Sequence, residues 1–177
     1  MSTFELQAAA PAAHPAPAVH TVIDSPVGEL TLVAAGQQLT GLYFPHHWHK
    51  PDPASFGERS DAGFGEAARQ LAAYFDGHLR EFDLPAELNG EPFQHRVWAL
   101  IRQIGYGQTV SYGELASELG DGVLARDVGA AVGRNPLSIV VPCHRVVGKD
   151  GRLTGYAGGL RRKRFLLDLE QAAGRLF

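Results

Sequence analysis

Hydrophobic residues between positions 20 and 44 come in short runs separated by turn-forming residues. The segment HTVIDSPVGELTLVAAGQQLTGLYF breaks at Ser25-Pro26-Val27-Gly28 and again at Gly36-Gln37-Gln38. β-Branched and apolar runs separated by such residues are typical of strands joined by tight turns. The pattern therefore predicts a three-strand antiparallel meander.

The hydrophobic spacing changes after residue 62. Residues 45–61 are rich in Pro, His and Asp and are predicted to form a loop. A helix is predicted next, ended by Gly77, because one helical face collects Phe64, Ala67, Ala68, Leu71 and Phe75. The segment EFDLPAEL that follows is predicted to be an edge strand or an extended segment, since Pro85 cannot donate a ladder hydrogen bond.

Helical spacing dominates the second half of the chain. A helix is predicted from Glu91 to Ile104, followed by a turn at residues 105–108. Ser111 and Glu114 then have the spacing of a capping box, which predicts a helix starting at Ser111. A Gly-containing turn separates it from a second short helix at residues 124–133. Two short helices joined in this way make a helix-turn-helix candidate, although any pair of antiparallel helices could give the same pattern.

Composition narrows the class of protein. Apolar residues make up 45% of the 177 residues and charged residues 20%, which excludes global disorder. No apolar run approaches the ~20 residues of a membrane span, and the first residues lack the pattern of a signal peptide, so a cytoplasmic location is expected. The single cysteine, Cys143, excludes an intramolecular disulfide and a zinc site built from several thiolates.

Charge is distributed unevenly along the chain. The net charge is -3, but residues 1–92 carry -8 and residues 93–177 carry +5. A phosphate-binding half joined to an acidic half would give this distribution. Chance and surface solubility explain it equally well.

The residues most suggestive of chemistry are Pro142-Cys143-His144-Arg145, at the end of an apolar run. A cysteine is a strong nucleophile only as the thiolate, and His144 could remove its proton through a bridging water. Glu170 is a candidate, by residue type alone, for orienting the imidazole. A buried structural cysteine beside a surface histidine is the alternative interpretation of such a pair.

The second half closely resembles the O6-alkylguanine-DNA alkyltransferase family. The resemblance is carried, in order and at matching spacing, by FQHRVW at 93–98, IGYG at 104–107, SYGELA at 111–116, ARDVG at 125–129, Asn135-Pro136, IVVPCHRVV at 139–147, GYAGG at 155–159 and KRFLLDLE at 163–170. The opening TVIDSPVGELTLVA resembles the family's N-terminal domain more loosely. The family implies an α/β + α architecture, with a flexible Ala/Pro-rich tail at 1–19, a ribonuclease-H-like domain at 20–91 and a mostly helical domain with a helix-turn-helix at 92–177.

The resemblance implies direct-reversal DNA repair. Cys143 would accept the alkyl group of O6-alkylguanine, or of O4-alkylthymine, in one in-line displacement. His144 would deprotonate the thiol through water, and Glu170 would orient the imidazole. Tyr112 would assist departure of the guanine. The thioether product has no easy leaving group, so the protein would act once per molecule as a methyltransferase.

The resemblance also implies a substrate pocket. Tyr156 would form its apolar wall, the carbonyls of Cys143 and Val146 would accept from the guanine amine, and the Ala157 N–H would face O6. Asn135 would tie the helix-turn-helix to the cysteine strand. The positions assigned to the pocket are Tyr156, Ala157, Val146, Asn135 and Gly158.

Duplex DNA is the partner that the resemblance implies. O6 of a paired guanine cannot reach a buried thiolate, so the target nucleotide must rotate out of the stack. Arg126 matches the residue that enters the gap, and small residues beside it allow close approach to the sugar-phosphate backbone. The positions assigned to DNA contact are Arg126, Ser111, Ala125, Gly129 and Ala130.

Several features lie outside this pattern. No cofactor is expected, and a monomer without an obligate protein partner is expected. His46, His47 and His49 could form a weak metal site, but a solvated loop is the favoured interpretation. The basic run at residues 161–164 is interpreted as the exposed start of the last helix. Two rival functions remain: a helix-turn-helix regulator with a structural cysteine, and a cysteine hydrolase.

Overall fold

The computed structural model describes residues 16–175. The first half contains a four-stranded sheet formed by β1 (Ala18–Ile23), β2 (Leu30–Ala35), β3 (Gln38–Tyr43) and β4 (Glu58–Arg59), in the order β3-β2-β1-β4. The predicted meander is confirmed, since β1 pairs antiparallel with β2 and β2 with β3.

The prediction of a loop across residues 45–61 is wrong in part. A 3-10 turn covers Pro53–Phe56, and β4 pairs in parallel with β1 at Val19 and His20. A strand of two residues is too short to show an alternation of hydrophobic and polar positions in the sequence. Its formation depends on the edge that β1 presents.

The predicted flexible tail at residues 1–19 is corrected at its end. Residues 1–15 lie outside the described part of the chain. Ala18 and Val19 belong to β1 and pair with Ala35 and Ala34. The sheet therefore begins two residues before the predicted domain start at residue 20.

One helix covers the sheet domain, α1 (Gly65–Phe75), with Ala67, Gln70, Leu71 and Tyr74 on its buried face. The segment 81–88 is extended and makes a single bridge to β3. The N–H of Leu39 donates to the Pro85 carbonyl at 2.9 Å, and the N–H of Glu87 donates to the Leu39 carbonyl at 2.9 Å. Pro85 thus takes part through its carbonyl, the one backbone group that it can offer.

The second half is mostly helical, as predicted. Its elements are α2 (Pro92–Ile101), β5 (Val110–Ser111), α3 (Tyr112–Leu119), α4 (Ala125–Gly133), β6 (Val146–Val147) and α5 (Leu160–Gly174), with β5 and β6 paired in parallel. Helix α2 ends three residues before the predicted Ile104, where the chain tightens into turns at Gln103 and Ile104. The helix-turn-helix is confirmed as α3 and α4.

The capping box at the start of α3 is present as predicted. The Ser111 hydroxyl accepts from the N–H of Glu114 at 3.1 Å, and the Glu114 carboxylate accepts from the N–H of Ser111 at 2.7 Å. These reciprocal bonds fix the first turn of α3. Tyr112, the first residue of that helix, is thereby held in a defined position.

The two halves share one hydrophobic core. The N–H of Leu42 in β3 donates to the Pro136 carbonyl at 2.8 Å. Beyond β3, Phe44 lies against Gly158 so closely that a Cβ built there would come within 2.3 Å of the ring. Only glycine fits at this junction. Within residues 16–175, no helix is both long and apolar enough to cross a membrane.

Candidate active site

Cys143 follows a strained connection from the helix-turn-helix. Ile139 has φ 71°, a left-handed conformation that is uncommon for a β-branched residue. The Asn135 amide stabilises the connection, because its nitrogen donates to the Val141 carbonyl at 2.9 Å and its oxygen accepts from the N–H of Leu137 at 3.0 Å. These are the backbone bonds expected of Asn135. They link the end of α4 to the segment that carries Cys143.

Cys143 is 2% exposed and is the first residue of a 3-10 turn at Cys143–Arg145. Burial raises the pKa of the Cys143 thiol, because a thiolate loses hydration there. The Asn135 amide and the positive charge of Lys163 oppose this shift. The thiol therefore stays protonated until a base removes its proton.

His144 lies next to that thiol in sequence and is fully buried. Its Nε2 lies 2.7 Å from Glu170 Oε1, so the contact that sequence spacing could not prove is present. Burial lowers the pKa of His144 although Glu170 opposes the shift, which favours a neutral imidazole. Its Nδ1 is buried without a hydrogen-bond partner among residues 16–175. With Nε2 donating to the carboxylate, Nδ1 is the free acceptor.

Glu170 is the centre of a set of buried hydrogen bonds that we call the relay cluster: Tyr74, Gly107, His144, Arg145 and Glu170. The Tyr74 hydroxyl donates to Oε1 at 2.8 Å, and the N–H of Gly107 donates to Oε2 at 3.1 Å. Arg145 donates from Nη2 at 2.9 Å and from Nε at 3.0 Å. Burial alone would raise the pKa of Glu170, but the bonds and charges of His144 and Arg145 outweigh it and lower the pKa to about 2. The carboxylate is thus ionised and well held.

Sequence reasoning missed Tyr74 and gave Arg145 no role. Tyr74 occupies an ordinary apolar position of α1 in a different domain, and nothing in the local pattern marks it. Arg145 belongs to the PCHR segment and could have been noted as a buried cation. Its Nη1 also donates to the Ile104 carbonyl at 2.6 Å.

Lys163 corrects the interpretation of residues 161–164 as an exposed run. Its side chain is fully buried, and its Nζ donates to the carbonyls of Val146 at 2.5 Å and Gly155 at 2.8 Å. Burial lowers the pKa of Lys163 to about 8, with the nearby thiol opposing the shift. Arg162 also turns inward, donating to the Val27 carbonyl at 2.7 Å. Arg161 and Arg164 remain exposed.

A cavity of about 930 Å³ opens beside Cys143. The starts of α3 and α4 form one side, and the segment 154–157 forms another. Among the predicted site residues, those that line it are Ser111, Tyr112, Ala125, Arg126, Gly129, Cys143, Tyr156 and Ala157. Arg126, the second residue of α4, is exposed at this opening.

The remaining predicted site residues lie outside the cavity wall. Ala130 is exposed on α4 and does not line the cavity. His144 and Glu170 lie behind Cys143, and Asn135 supports it from the α4 side. Val146 and Gly158 are buried; the Val146 carbonyl accepts from Lys163, and Gly158 packs on Phe44. The expected roles of Val146 and Gly158 depend on backbone groups and packing rather than on side chains in the cavity.

Tyr112 and Tyr156 both line the cavity, and Tyr156 is the more deeply buried of the two. Burial raises the pKa of Tyr112, with the Thr154 hydroxyl opposing. Burial also raises the pKa of Tyr156, which is 4% exposed. The Ser138 hydroxyl and the Cys143 thiol lie close enough to affect this pKa, but neither the Tyr156 hydroxyl nor that of Ser138 makes a well-formed hydrogen bond with a described residue. We call Ser138, Cys143 and Tyr156 the pocket cluster.

The prediction of a solvated loop at His46, His47 and His49 is wrong for His47. Its ring is 8% exposed and stacks on Phe44 at 5.8 Å, and its Nδ1 accepts from the N–H of Phe44 at 3.4 Å. Burial, with smaller contributions from Lys50 and His49, lowers the pKa of His47 to about 4. His46 and His49 are exposed. Across residues 16–175, no group of three or more metal-binding side chains is arranged to hold an ion.

Comparison with known proteins gives consistent matches over most of the chain. Two family models match it: 6-O-methylguanine DNA methyltransferase, ribonuclease-like domain, over residues 18–88, and 6-O-methylguanine DNA methyltransferase, DNA binding domain, over residues 92–172. A methylated-DNA–protein-cysteine methyltransferase of Mycobacterium tuberculosis is 48% identical over 161 residues, covering 86% of this chain and 92% of that protein. The protein of the same name from Methanosarcina acetivorans is 42% identical over 151 residues, covering 85% and 97%.

Solved structures give the same picture. A crystal structure of Mycobacterium tuberculosis OGT in complex with DNA has a TM-score of 0.84 and 46% identity, covering 88% of this chain and 94% of that one. An O6-methylguanine DNA methyltransferase from Methanococcus jannaschii has a TM-score of 0.61 and 28% identity, covering 85% and 93%.

Proposed function

The chain belongs to the 6-O-methylguanine DNA methyltransferase family, and on that premise we propose that it repairs O6-alkylguanine in DNA by direct reversal. The alkyl group moves irreversibly to Cys143. O4-alkylthymine is a second substrate of the same chemistry. The protein is a stoichiometric methyltransferase, since the thioether product has no easy leaving group.

The relay cluster activates the thiol. Nδ1 of His144 lacks a protein partner in residues 16–175, so a water can bridge it to Sγ. The thiol proton passes through that water to Nδ1, while Glu170 stabilises the imidazolium that forms. Sγ then attacks the alkyl carbon, forming the S–C bond as the C–O6 bond breaks. The electron pair of the C–O6 bond leaves with the guanine.

The departing guanine carries this negative charge until it gains a proton. Tyr112 donates a hydrogen bond to it from the wall of the cavity, and the proton released by the thiol restores neutral guanine through solvent. The N–H of Ala157 faces O6, and the carbonyls of Cys143 and Val146 accept from the exocyclic amine. Donors fixed before the reaction stabilise developing charge without reorganising.

The helix-turn-helix supplies the DNA contacts. Arg126 enters the gap left by the rotated nucleotide, which offsets part of the few kcal/mol that flipping costs. Ser111, Ala125, Gly129 and Ala130 approach the backbone, and the net positive charge of residues 93–177 favours phosphate binding. The protein acts as a monomer on duplex DNA, without a cofactor. It works in the cytoplasm, because a reducing compartment keeps its one cysteine a thiol.

The observation that supports this function is the position of Cys143. It lies in the wall of a cavity that reaches the exposed face of the helix-turn-helix, and the next residue in the chain, His144, forms a buried pair with Glu170 outside that wall. A regulator with a structural cysteine needs neither feature. A hydrolase would need water to release a covalent intermediate and would turn over.

The test is the intact mass after incubation with duplex DNA containing one O6-methylguanine. We expect a gain of one methyl group, mapped to Cys143 by peptide mass spectrometry, and no turnover with excess DNA. Cys143→Ala is expected to bind the DNA and gain no mass. A methyl group on any other residue, or catalytic turnover, would overturn the proposal; an unmodified wild-type protein would favour the regulator.

A further inference from the structure

The N-terminal domain contributes one side chain to the rim of the cavity. Trp48 lies on the segment after β3, yet it lines the same cavity as Cys143 and Tyr112. Its side chain is 55% exposed, the largest exposed fraction among the large hydrophobic residues of the described chain. An exposed indole at the opening of a cavity is a candidate contact surface for a ligand.

The backbone of Trp48 is firmly held although its ring is exposed. Its N–H donates to the Ala157 carbonyl at 2.9 Å, which joins the segment to the cavity wall. On one side His47 is buried against Phe44, and on the other His49 has φ 54°. A non-glycine residue in that left-handed region costs free energy, and such strain concentrates at functional positions. The exposed ring is therefore part of a fixed rim.

The ring faces the part of the wall that lacks a side chain. A Cβ built on Gly155 would lie 3.7 Å from the edge of the indole, an ordinary packing distance. The absence of a side chain at Gly155 thus lets the edge of the indole lie close to the 155–157 segment. Phe44 supports this segment from behind, with its ring in edge contact with Tyr156 at 5.8 Å.

We propose that Trp48 is a specificity-determining residue that favours O6 substituents carrying an aromatic ring. This inference rests on the function proposed above, in which the N–H of Ala157 faces O6. A substituent on O6 then extends along the residue to which Trp48 is bonded. A methyl group offers only the carbon that Sγ attacks, whereas the ring of a benzyl group projects to the side of that carbon, where it can stack on the indole. Offset or edge-to-face stacking adds to the binding of such a ring.

The test compares O6-benzylguanine with O6-methylguanine, both as free bases, so that DNA contacts cannot contribute. The measurement is the second-order rate constant of Cys143 alkylation. For Trp48→Ala we expect the benzyl-to-methyl rate ratio to fall roughly three- to tenfold. Trp48→Phe is expected to keep most of the ratio, because an aromatic face remains. Leu160→Ala is the matched control, since Leu160 is 45% exposed and lies outside this cavity.

A second measurement detects the contact itself. Cys143→Ala lacks the acceptor thiol and is expected to be unreactive, and Trp98, the other tryptophan, is buried with its Nε1 bonded to the Ala131 carbonyl. Adding O6-benzylguanine to Cys143→Ala is expected to change the tryptophan emission. The change is expected to disappear when Trp48→Phe is added.

The outcomes separate the two proposals. An unchanged ratio in Trp48→Ala, or an equal fall for both bases, would overturn the specificity role. If the rate instead falls only with a third substrate, duplex DNA containing O6-methylguanine, the specificity role is also overturned and Trp48 contacts DNA. If the wild-type protein alkylates Cys143 with neither base nor DNA, the proposed function itself fails.

Discussion

The relay cluster adjoins Cys143 in the chain and the pocket cluster contains it, and the two clusters differ in which of their buried polar groups are paired. In the relay cluster, the Glu170 oxygens accept from Tyr74, Gly107, His144 and Arg145. In the pocket cluster, the hydroxyls of Ser138 and Tyr156 have no partner within residues 16–175. Buried polar groups are normally paired, so an unpaired one needs an explanation. The relay is organised around Glu170 before substrate arrives and leaves His144 Nδ1 open to a water, whereas the pocket leaves both of its hydroxyls available.

Breaking the relay is expected to have the largest effect. Glu170→Gln leaves the Arg145 charge buried without its partner and removes the group that stabilises the His144 imidazolium. We expect transfer to slow by about 100-fold or more. We also expect a loss of about 3 kcal/mol in the free energy of unfolding. Single-turnover kinetics and urea unfolding measure the two, and a stable variant with wild-type rate would show that the relay plays neither role.

The same carboxylate is expected to set the lower pH limit of stability. The folded-state pKa of Glu170 is about 2, below its ordinary value near 4.5. A depressed carboxyl pKa contributes stability that is complete above the unfolded value and is lost as pH falls through the folded one. The free energy of unfolding should therefore decrease between about pH 4.5 and 2. Glu170→Gln should flatten that decrease, and an unchanged slope would contradict the assignment.

An exposed residue that belongs to neither cluster separates nucleotide flipping from chemistry. Arg126→Ala should slow repair of O6-methylguanine in duplex DNA by tens of fold, the scale of an unstacking cost of about 2 kcal/mol. Reaction with free O6-benzylguanine needs no flipping and should fall much less. The measurement is the rate of Cys143 alkylation with each substrate. Equal slowing of both would mean that Arg126 supports the fold or the cavity instead.

Removing one hydroxyl from the relay is expected to have a moderate effect. Tyr74→Phe deletes the donor to Glu170 Oε1 and should lower the free energy of unfolding by about 1 kcal/mol. Without this donor, the Glu170 carboxylate stabilises the His144 imidazolium more strongly, so the pKa of His144 rises. The pH at which transfer reaches half of its maximum rate should therefore shift upward. Tyr43→Phe is the matched control, because Tyr43 is a buried tyrosine of the same domain that lies outside the relay cluster. A pH profile that does not move would make Tyr74 merely structural.

Replacing the tyrosine of the pocket cluster with phenylalanine is expected to have the smallest effect on the free energy of unfolding. Tyr156→Phe removes a buried hydroxyl that makes no hydrogen bond with the described residues. Leaving such a group unpaired is unfavourable, so the free energy of unfolding should stay constant or rise by up to about 1 kcal/mol. Urea unfolding of Tyr156→Phe and of Tyr74→Phe under the same conditions measures the difference between the two clusters. An equal loss in both variants would erase the distinction between the clusters.

The sequence predicts features that depend on residues close in the chain better than contacts between distant parts of it. Local patterns were sufficient for the Ser111 cap and the helix-turn-helix, because both depend on residues close in the chain. The family motif marked Cys143, His144 and Glu170. Tyr74 could not be found this way, since its contact with Glu170 spans 96 positions and two domains. Burial of Lys163 within a basic run is likewise decided by the packing of α5, which no charge pattern encodes.

The Glu170 carboxylate has a consequence for how the protein unfolds. It joins four separate parts of the chain: α1 through Tyr74, the turn at Gly107, the 3-10 turn of His144 and Arg145, and α5, which carries it. Opening any one of them exposes or orphans a buried charge, which is far less favourable than opening an apolar contact. The acidic sheet domain and the basic helical domain are therefore thermodynamically coupled at this residue. They should melt in one cooperative transition, with equal calorimetric and van't Hoff enthalpies, rather than as two independent units.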